Sequence, residues 1–330
     1  MTVPIWVWIL TIGVTLTMLL VDVVVVGRSP HVPSNKETGS ALAVYVGAAL
    51  AFGLGVWYFA GGDFAGQYYA GWLTEYSLSI DNLFVFLIIM AKFGVPQRLQ
   101  QTALMVGIVI ALVLRGIFIG VGAAAINQFS WVFYIFGAFL IYTAVKLATG
   151  GESDDEEFEE NAFLRFVERR LPATKDWHGT KLRITQNGKK LITPMFVVIL
   201  ALGTTDLLFA LDSIPAIYGL TKEPFLVLTA NIFALMGLRQ LYFLIGGLLT
   251  SLVYLGVGLS VLLAFIGVKL ILHAMHENEL PFVNGGRGIE WAPDIPIWLS
   301  LTVILGILCV TTVASLVKSH RDERRELQRS

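Results

Sequence analysis

The stretch GQYYAGWLTEYSLSIDNLFVFLIIMA at residues 66–91 decides the fold, because it is long and almost wholly apolar yet carries two carboxylates. About 20 apolar residues in a helix cross the hydrocarbon core of a bilayer. Residues 66–91 are therefore predicted to span a membrane, with Glu75 and Asp81 inside it. Only helices and closed barrels satisfy the backbone in lipid. The alternation typical of barrel strands is absent from the sequence, so helix is the expected conformation.

The composition of the whole chain supports the same interpretation. Of 330 residues, 56% are hydrophobic and 14% are charged, whereas soluble domains carry about a quarter charged residues. The mean hydropathy is +0.73. These values predict an all-α polytopic membrane protein with about nine transmembrane helices. The predicted spans are 5–26, 41–60, 66–91, 98–125, 129–148, 194–218, 224–249, 257–275 and 296–317.

Several classes of partner and cofactor are disfavoured. The formal net charge of −1 argues against a nucleic-acid partner, so the expected surroundings are the lipid bilayer. The single cysteine, Cys309, allows no internal disulfide. No nucleotide-binding motif is present, and we predict neither an enzyme nor a bound cofactor.

The basic residues of the loops predict the orientation. One set of loops and the tail carries 17 Lys and Arg residues, and the opposite set carries two, Lys222 and Arg287. Cytoplasmic loops are enriched in Lys and Arg. We therefore expect a cell (inner) membrane protein with its N-terminus outside and its C-terminus in the cytoplasm.

An internal repeat organises the spans. Spans 3–5 and spans 6–8 each contain two acids six residues apart, then a proline, an arginine and a lysine in matching strings. The matched residues are Glu75, Asp81, Pro96, Arg115 and Lys146, and then Asp206, Asp212, Pro224, Arg239 and Lys269. The charge rule makes the two repeats inverted, a symmetry common in secondary transporters. The predicted segments are two N-terminal helices (1–64), the first repeat (65–149), a cytoplasmic acidic and amphipathic linker (150–192), the second repeat (193–276), an extracytoplasmic loop with the ninth helix (277–317) and a basic tail (318–330).

The four repeated acids are the candidate functional groups. Each intramembrane charge costs about 2.5–3.5 kcal/mol to insert, so a role is expected for each. We expect Arg115 and Arg239 to pair with them, which leaves a deficit of two positive charges that one divalent cation or two protons would fill. Pro215 is expected to distort the sixth span beside Asp212, because proline cannot bond the carbonyl four residues back.

The neighbouring side chains favour a hard cation. No histidine or cysteine lies beside the acids, and oxygen-only sites suit Mg, Ca or Mn. The predicted metal ligands are Glu75, Asp81, Asn82, Asp206, Asp212 and Asn231. Asp22 is either interfacial or an accessory carboxylate of the pathway, and Lys269 is expected toward the outer side.

The two acidic motifs resemble those of the TerC family. The strings that carry the resemblance are Glu75-Tyr-Ser-Leu-Ser-Ile-Asp81-Asn82 and Asp206-Leu-Leu-Phe-Ala-Leu-Asp212-Ser-Ile-Pro215. The resemblance implies a bacterial inner-membrane protein similar to Mn²⁺ exporters, with the family's acidic positions falling on Glu75, Asp81, Asn82, Asp206 and Asp212. Some relatives carry a glutamate where this chain has Gly203.

The expected function is therefore Mn²⁺ efflux by alternating access, with protons exchanged for the metal. Two alternatives remain open at this point. One is a membrane factor that assists the assembly of other proteins, and the other is a protein of tellurium resistance. The sequence alone leaves the metal's identity, the coupling ion and the direction undecided.

Overall fold

The computed structural model describes residues 3–28, 34–129, 131–149, 174, 176–186, 189–245, 254–278, 280, 283–289, 291–293 and 295–327. At a few helical positions, Asp81 and Asp212 among them, the backbone is described and the side chain is not. The first five helices are α1 (Ile5–Arg28), α2 (Asn35–Ala60), α3 (Gly62–Lys92), α4 (Gln97–Gln128) and α5 (Val132–Thr149). The later ones are α6 (Pro194–Tyr218), α7 (Pro224–Met236), α8 (Leu238–Ile245), α9 (Leu255–His276) and α10 (Ile297–Leu327).

Nine membrane-crossing units can be formed from the described helices, as the hydropathy of the sequence predicted. Eight are single helices, and the remaining one, Pro224–Leu244, joins α7 to most of α8. The break between α7 and α8 falls at Gly237. A Cβ there would lie 3.1 Å from Leu42 Cδ1, so the bare glycine lets α2 approach the break.

Pro215, which was expected to distort the sixth span, lies inside a continuous helix. α6 remains helical from Pro194 through Pro215 to Tyr218 in the described backbone. The backbone beside Asp212 is therefore helical and not unwound, although proline still cannot donate a hydrogen bond to the carbonyl of Leu211. Proline fixes φ near the helical value, so it can stay within a helix when its neighbours are tightly packed, and Ile214, Ala216 and Ile217 are all buried.

Helices of the two predicted repeats pack against each other in a crossed arrangement. α3 lies against α7, α4 against α6, and α5 against α9. The first helix of each repeat thus contacts the second helix of the other, and the third helices contact one another. The symmetry itself stays a prediction, but this packing brings Glu75 of α3, Asp206 of α6 and Arg115 of α4 into one core.

Glycines set the closest of these contacts. A Cβ on Gly137 of α5 would lie 2.8 Å from the carbonyl oxygen of Gly267 in α9, and a Cβ on Gly267 would lie 2.9 Å from the carbonyl oxygen of Gly137. Small residues allow membrane helices to approach until their backbones touch, where dispersion forces replace the hydrophobic effect. The backbones of α5 and α9 are consequently in close contact at Gly137 and Gly267.

Large aromatic side chains are exposed near one end of the bundle. They are Trp6, Tyr58, Phe59, Trp131 and Trp298, at the start of α1, the end of α2 and the starts of α5 and α10. Tryptophan and tyrosine concentrate at membrane–water interfaces, where the ring is buried and the polar atom stays wet. This end of the bundle therefore marks one boundary of the hydrocarbon layer.

The segment between α5 and α6 contains a small sheet that was not predicted. Strands β1 (Arg183–Gln186) and β2 (Lys189–Ile192) pair antiparallel, with Arg183 opposite Ile192. The acidic run and the amphipathic piece expected at 152–171 lie outside the described residues. At the other end, α10 continues through residue 318 to Leu327, so the ninth span and most of the basic tail form one helix.

Candidate cation site

Arg115, on α4, is the centre of the buried polar cluster. Its Nε and Nη2 donate to the two carboxylate oxygens of Asp206, at 2.9 Å and 3.0 Å. Its Nη1 forms an ion pair with Glu75 Oε1 and donates to Asn231 Oδ1 at 3.1 Å and to Ser213 Oγ at 3.3 Å. Five side-chain oxygens therefore surround one guanidinium group.

Three different helices supply these oxygens. Glu75 comes from α3, Asp206 and Ser213 come from α6, and Asn231 comes from α7. Every residue in the cluster is at most 1% exposed. The Asn231 amide nitrogen donates to the carbonyl of Val227 one turn back, at 3.4 Å, which leaves its oxygen directed at Arg115. The packing of α3, α4, α6 and α7 thus creates a set of oxygen donors with almost no access to water.

One carboxylate in this cluster is not satisfied by hydrogen bonds. Both oxygens of Glu75 are buried without a hydrogen-bond partner in the described structure; Oε1 belongs to the ion pair with Arg115, whereas Oε2 has no described partner. On the same helix, Thr74 Oγ1 and Ser79 Oγ are also buried without a partner. Buried polar atoms are nearly always bonded, so such exceptions point to a site that another group completes.

The other predicted ligands lie close by along the same helices. Asp81 belongs to α3 and Asp212 to α6, and for both residues the structure describes the backbone but not the side chain. Asn82 is buried on α3 and is not among the described groups that bond Arg115. Among the described residues, no three His, Cys, Asp or Glu side chains form a ready-made metal cluster. The six-ligand metal set of the sequence analysis therefore stays a prediction.

Arg239 occupies a different environment from Arg115. Among the described side chains, its carboxylate partner is Asp22 of α1, with Nη2 lying 2.5 Å from Oδ1, rather than Glu75 or Asp206. Tyr45 and Gln240 also hydrogen-bond Asp22. The physical reason is the break at Gly237, which puts Arg239 on the separate helix α8 and out of reach of the central pair. Asp22, expected to be interfacial or an accessory carboxylate, is thus the counter-charge of Arg239.

Gly203 lies where α4 and α6 approach closely. A Cβ at this position would be 3.1 Å from Ile110 Cγ2, and one on Gly107 would be 3.1 Å from Leu202 Cβ. A glutamate at position 203 would have to displace Ile110 before it could reach the cluster. The glycine is therefore consistent with close helix packing in this chain.

A cleft of about 540 Å³ opens at the same end of the bundle as the exposed aromatic residues. Its walls come from the start of α3, the α6–α7 connection, the end of α9 and the start of α10. The polar residues that line it are Asp63, Gln67, Thr221, Lys222, Glu223, Lys269, His273 and Glu277. Lys269 is 8% exposed, and its Nζ donates to Ser300 Oγ at 2.9 Å. α3 begins and α6 ends at this cleft, so these helices run in opposite directions.

An exposed ion-pair network lies at the rim of the cleft. Lys222 Nζ is 2.6 Å from Glu277 Oε2, and His273 Nε2 is 3.3 Å from the same oxygen. Partial burial raises the pKa of Glu277, but the hydrogen bond from Lys222 and the nearby charges of His273, Lys222 and His276 outweigh it. The pKa of Glu277 therefore lies below its usual value.

Sequence patterns indicated some of these contacts and missed others. The repeat singled out Glu75, Arg115 and Asp206, and the ligand prediction added Asn231; the fold brings these four residues together. Ser213 was not among the predicted ligands. Tyr45 and Gln240 gave no signal, because a single tyrosine or glutamine in an apolar run is an ordinary helix residue. Of the cleft residues, Lys269 was singled out as lying toward the outer side, and Lys222 was assigned to an outer loop. The sequence did not indicate that they share a cleft with Asp63, Glu223 and Glu277, since the lining comes from four separate segments.

The fold and the site together define a polytopic helical membrane protein with a buried, charged centre. The model of the family described as "Integral membrane protein TerC family" matches residues 60–323. The chain belongs to this family. The matched range begins at the end of α2 and includes every residue of the Arg115 cluster, whereas Asp22 lies before it.

Similar proteins are known from several bacteria. The chain is 47% identical over 312 residues to "Uncharacterized membrane protein Rv2723" of Mycobacterium tuberculosis, covering 94% of this chain and 78% of that protein. It is 40% identical to "Uncharacterized membrane protein STKORF319" of Myxococcus xanthus, covering 94% and 92%. It is 33% identical to "Putative membrane-bound redox modulator Alx" of Escherichia coli O6:H1, covering 94% of each chain. No solved structure matches.

Proposed function

We propose that the protein transports a divalent metal cation across the cell membrane, with Mn²⁺ as the cargo and efflux as the direction. The observation that carries this proposal is the set of buried oxygens around Arg115, completed by the unpartnered Oε2 of Glu75. Carboxylate, amide and hydroxyl oxygens are the donors that hard divalent cations prefer. The direction and the choice of Mn²⁺ rest on the family resemblance.

The charge balance at the centre supports a cationic cargo. Arg239 is engaged by Asp22, so Arg115 is the one described guanidinium that faces Glu75 and Asp206. Asp81 and Asp212 lie six residues further along the same two helices. Four acids against one arginine leave three negative charges, and charge in the hydrocarbon region is costly unless it is paired. A divalent cation together with a proton would neutralise the centre.

Protons are the proposed coupling ion. Moving one elementary charge across a membrane potential costs about 2.3 kcal/mol per 100 mV, and a divalent cation that leaves an inside-negative cell costs about twice that. Protons entering in exchange offset this cost. Because carboxylates bind either protons or metal, competition for the same acids gives an exchange mechanism without nucleotide hydrolysis.

The proposed orientation puts the N-terminus outside, so the cleft beside α3 and α10 opens to the outer side. The loops at this end carry Lys222 and Arg287, whereas the opposite end carries the basic segments of the chain. In this orientation the cleft would lie on the exit side for an exported cation. Its walls carry three acids, Asp63, Glu223 and Glu277, against two lysines, Lys222 and Lys269, so the cleft has a small excess of negative charge.

The two alternative functions, an assembly factor and a tellurium-resistance protein, do not account for the buried carboxylates. An assembly factor has no evident need for a desolvated acid such as Glu75 at its centre, and a net-negative site repels a tellurium oxyanion. The name of the Escherichia coli relative suggests a redox role. A dithiol cycle within one chain needs two cysteines, and this chain has only Cys309.

Reconstitution tests the proposal directly. The full-length protein is placed in vesicles that contain a Mn²⁺-sensitive dye, and flux is compared between wild type and the variants Asp81→Asn and Asp212→Asn. Asparagine keeps the size and one oxygen but removes the negative charge, so both variants should insert normally and lose transport. Asp176→Asn, which changes an exposed carboxylate outside the helices, is the matched control and should transport at the wild-type rate. Wild-type rates in either Asp81→Asn or Asp212→Asn would refute the assignment.

A further inference from the structure

Arg115 occupies the place that a bound cation would need. Its guanidinium contacts Asp206 through both carboxylate oxygens, and it also contacts Glu75, Asn231 and Ser213. Three of these four residues are ligands that the sequence predicted for the metal. A divalent cation and a guanidinium group cannot both take the same oxygens, so binding of one must displace the other at least in part.

We propose that Arg115 is an internal substitute for the cargo, a tethered cation that fills the oxygen site whenever the metal has left. This inference rests on the proposed transport function and adds to it a mechanism for the empty carrier. A carrier that exchanges metal for protons has to return without metal, and any carboxylate left without a cation or a proton in a closed, dry site would oppose that step. A guanidinium group already seated among the oxygens removes this penalty without requiring a proton for every acid.

The geometry shows which contacts a metal would replace first. Nε and Nη2 hold Asp206 in a two-bond contact, the strong arrangement that Arg makes with a carboxylate. Nη1 alone serves Glu75, Asn231 and Ser213. A cation that takes the oxygens of Glu75 and Asn231 removes partners from Nη1, while the contact with Asp206 can persist. Arg115 can thus release the oxygens of Glu75 and Asn231 to the metal while it stays bonded to Asp206.

The first test is metal binding. Mn²⁺ is titrated into purified full-length protein by calorimetry, with wild type, Arg115→Lys and Arg115→Gln compared. A site that is occupied by an internal competitor binds with reduced apparent affinity, in proportion to the fraction of empty sites. Removal of the competitor in Arg115→Gln should tighten Mn²⁺ binding roughly tenfold or more, equivalent to at least about 1.4 kcal/mol. Lysine retains the charge but not the two-bond geometry, so Arg115→Lys should bind with intermediate affinity.

The second test separates two modes of transport in vesicles. Exchange of Mn²⁺ on one side for Mn²⁺ on the other never requires the empty carrier to return, whereas net efflux into metal-free buffer does. In Arg115→Gln, net efflux should fall about tenfold or more relative to exchange. Arg239→Gln is the matched control, because it also removes a buried guanidinium but not from the central oxygens. The ratio of exchange to net efflux should not change in that variant.

The outcomes distinguish a failure of the proposed transport function from a failure of the proposed role of Arg115. If wild type neither binds nor moves Mn²⁺, the transport function itself is wrong. If wild type transports but neither Arg115 variant binds Mn²⁺ more tightly, or if exchange and net efflux fall together, Arg115 is only a structural counter-charge. The same ratio change in Arg239→Gln would also overturn the inference. Should Arg115→Gln fold poorly, Arg115→Lys retains the charge and still reports the change in affinity.

Discussion

Replacement of Arg115 by leucine is the sharpest test of the buried cluster. The substitution keeps an apolar side chain of useful size but removes the group that bonds Asp206, Glu75, Asn231 and Ser213. Removing one partner of a buried ion pair costs about 3–5 kcal/mol, because it leaves an uncompensated charge in an apolar environment. The upper part of that range is expected here, since two carboxylates lose their cation. The ratio of unfolded to folded protein should rise by about three to four orders of magnitude.

A second substitution identifies the partner. If Asp206 is the main acceptor, Asp206→Asn in the Arg115→Leu background removes the stranded anion and should restore part of the stability. The double variant should then be more stable than the sum of the two single effects by about 2 kcal/mol or more. Arg239→Leu combined with Asp22→Asn forms a parallel double-mutant cycle. This pair is joined by one described hydrogen bond, and the Asp22 side chain is 15% exposed. Its single arginine substitution should cost only about 1.5–3 kcal/mol.

The assay is equilibrium unfolding of the full-length protein in mixed micelles, with folded yield from size-exclusion chromatography as a second measure. Arg115→Leu with wild-type stability would refute the cluster as a stabilising contact. Strict additivity of Arg115→Leu and Asp206→Asn would show that the two side chains do not interact in the folded protein.

Three further predictions concern other parts of the molecule. Gly137→Val should destabilise the protein by about 1–3 kcal/mol, because a Cβ there meets the α9 backbone, whereas Gly120→Val adds a side chain where no atom lies within 4 Å and should be nearly neutral in the same micelle assay. The pKa of Glu277 is below its usual 4.5, so its pairing with Lys222 should stabilise the end of α9 above that pH and fade as pH falls through the lower value. Both side chains are nearly half exposed, so the gain is only about 0–1 kcal/mol, and hydrogen exchange compared with Glu277→Gln should reveal it as a pH-dependent difference. Finally, metal efflux should acidify the compartment that the metal leaves; Mn²⁺ flux without any signal from a pH dye at clamped voltage would exclude proton exchange.

The positions of the helices were predictable because lipid imposes one strong requirement. A helix must be apolar for about 20 residues to cross the membrane, and this signal depends little on tertiary contacts. The predicted span 194–218 has the same bounds as α6. The interruption at Gly237 was not predictable in the same way, since a glycine is common within membrane helices. What distinguishes it is the approach of Leu42 from another helix.

The partners of the two arginines illustrate the limit of sequence reasoning more clearly. Arg115 and Arg239 hold matched places in the repeat, so the sequence assigned them the same role. Their described partners differ because α8 is separate from α7 and because α1, which carries Asp22, belongs to neither repeat. Spacing along a chain indicates which residues share a helix. It does not indicate which helix from outside the repeat comes to lie beside them.

The order of the charges along the chain has a consequence for how the protein enters the membrane during synthesis. Chains emerge from their N-termini, so Asp22 of α1 is in place before Arg239 arrives, and Glu75 of α3 precedes Arg115. A lone arginine at mid-membrane costs about 2.5–3.5 kcal/mol to insert, yet each of these arginines finds an acid already waiting for it. Asp206, which enters later, meets Arg115 in turn. The ion pairs of the finished bundle thus also ease its insertion, and a nascent chain that lacked α1 would present Arg239 to the lipid without its described counter-charge.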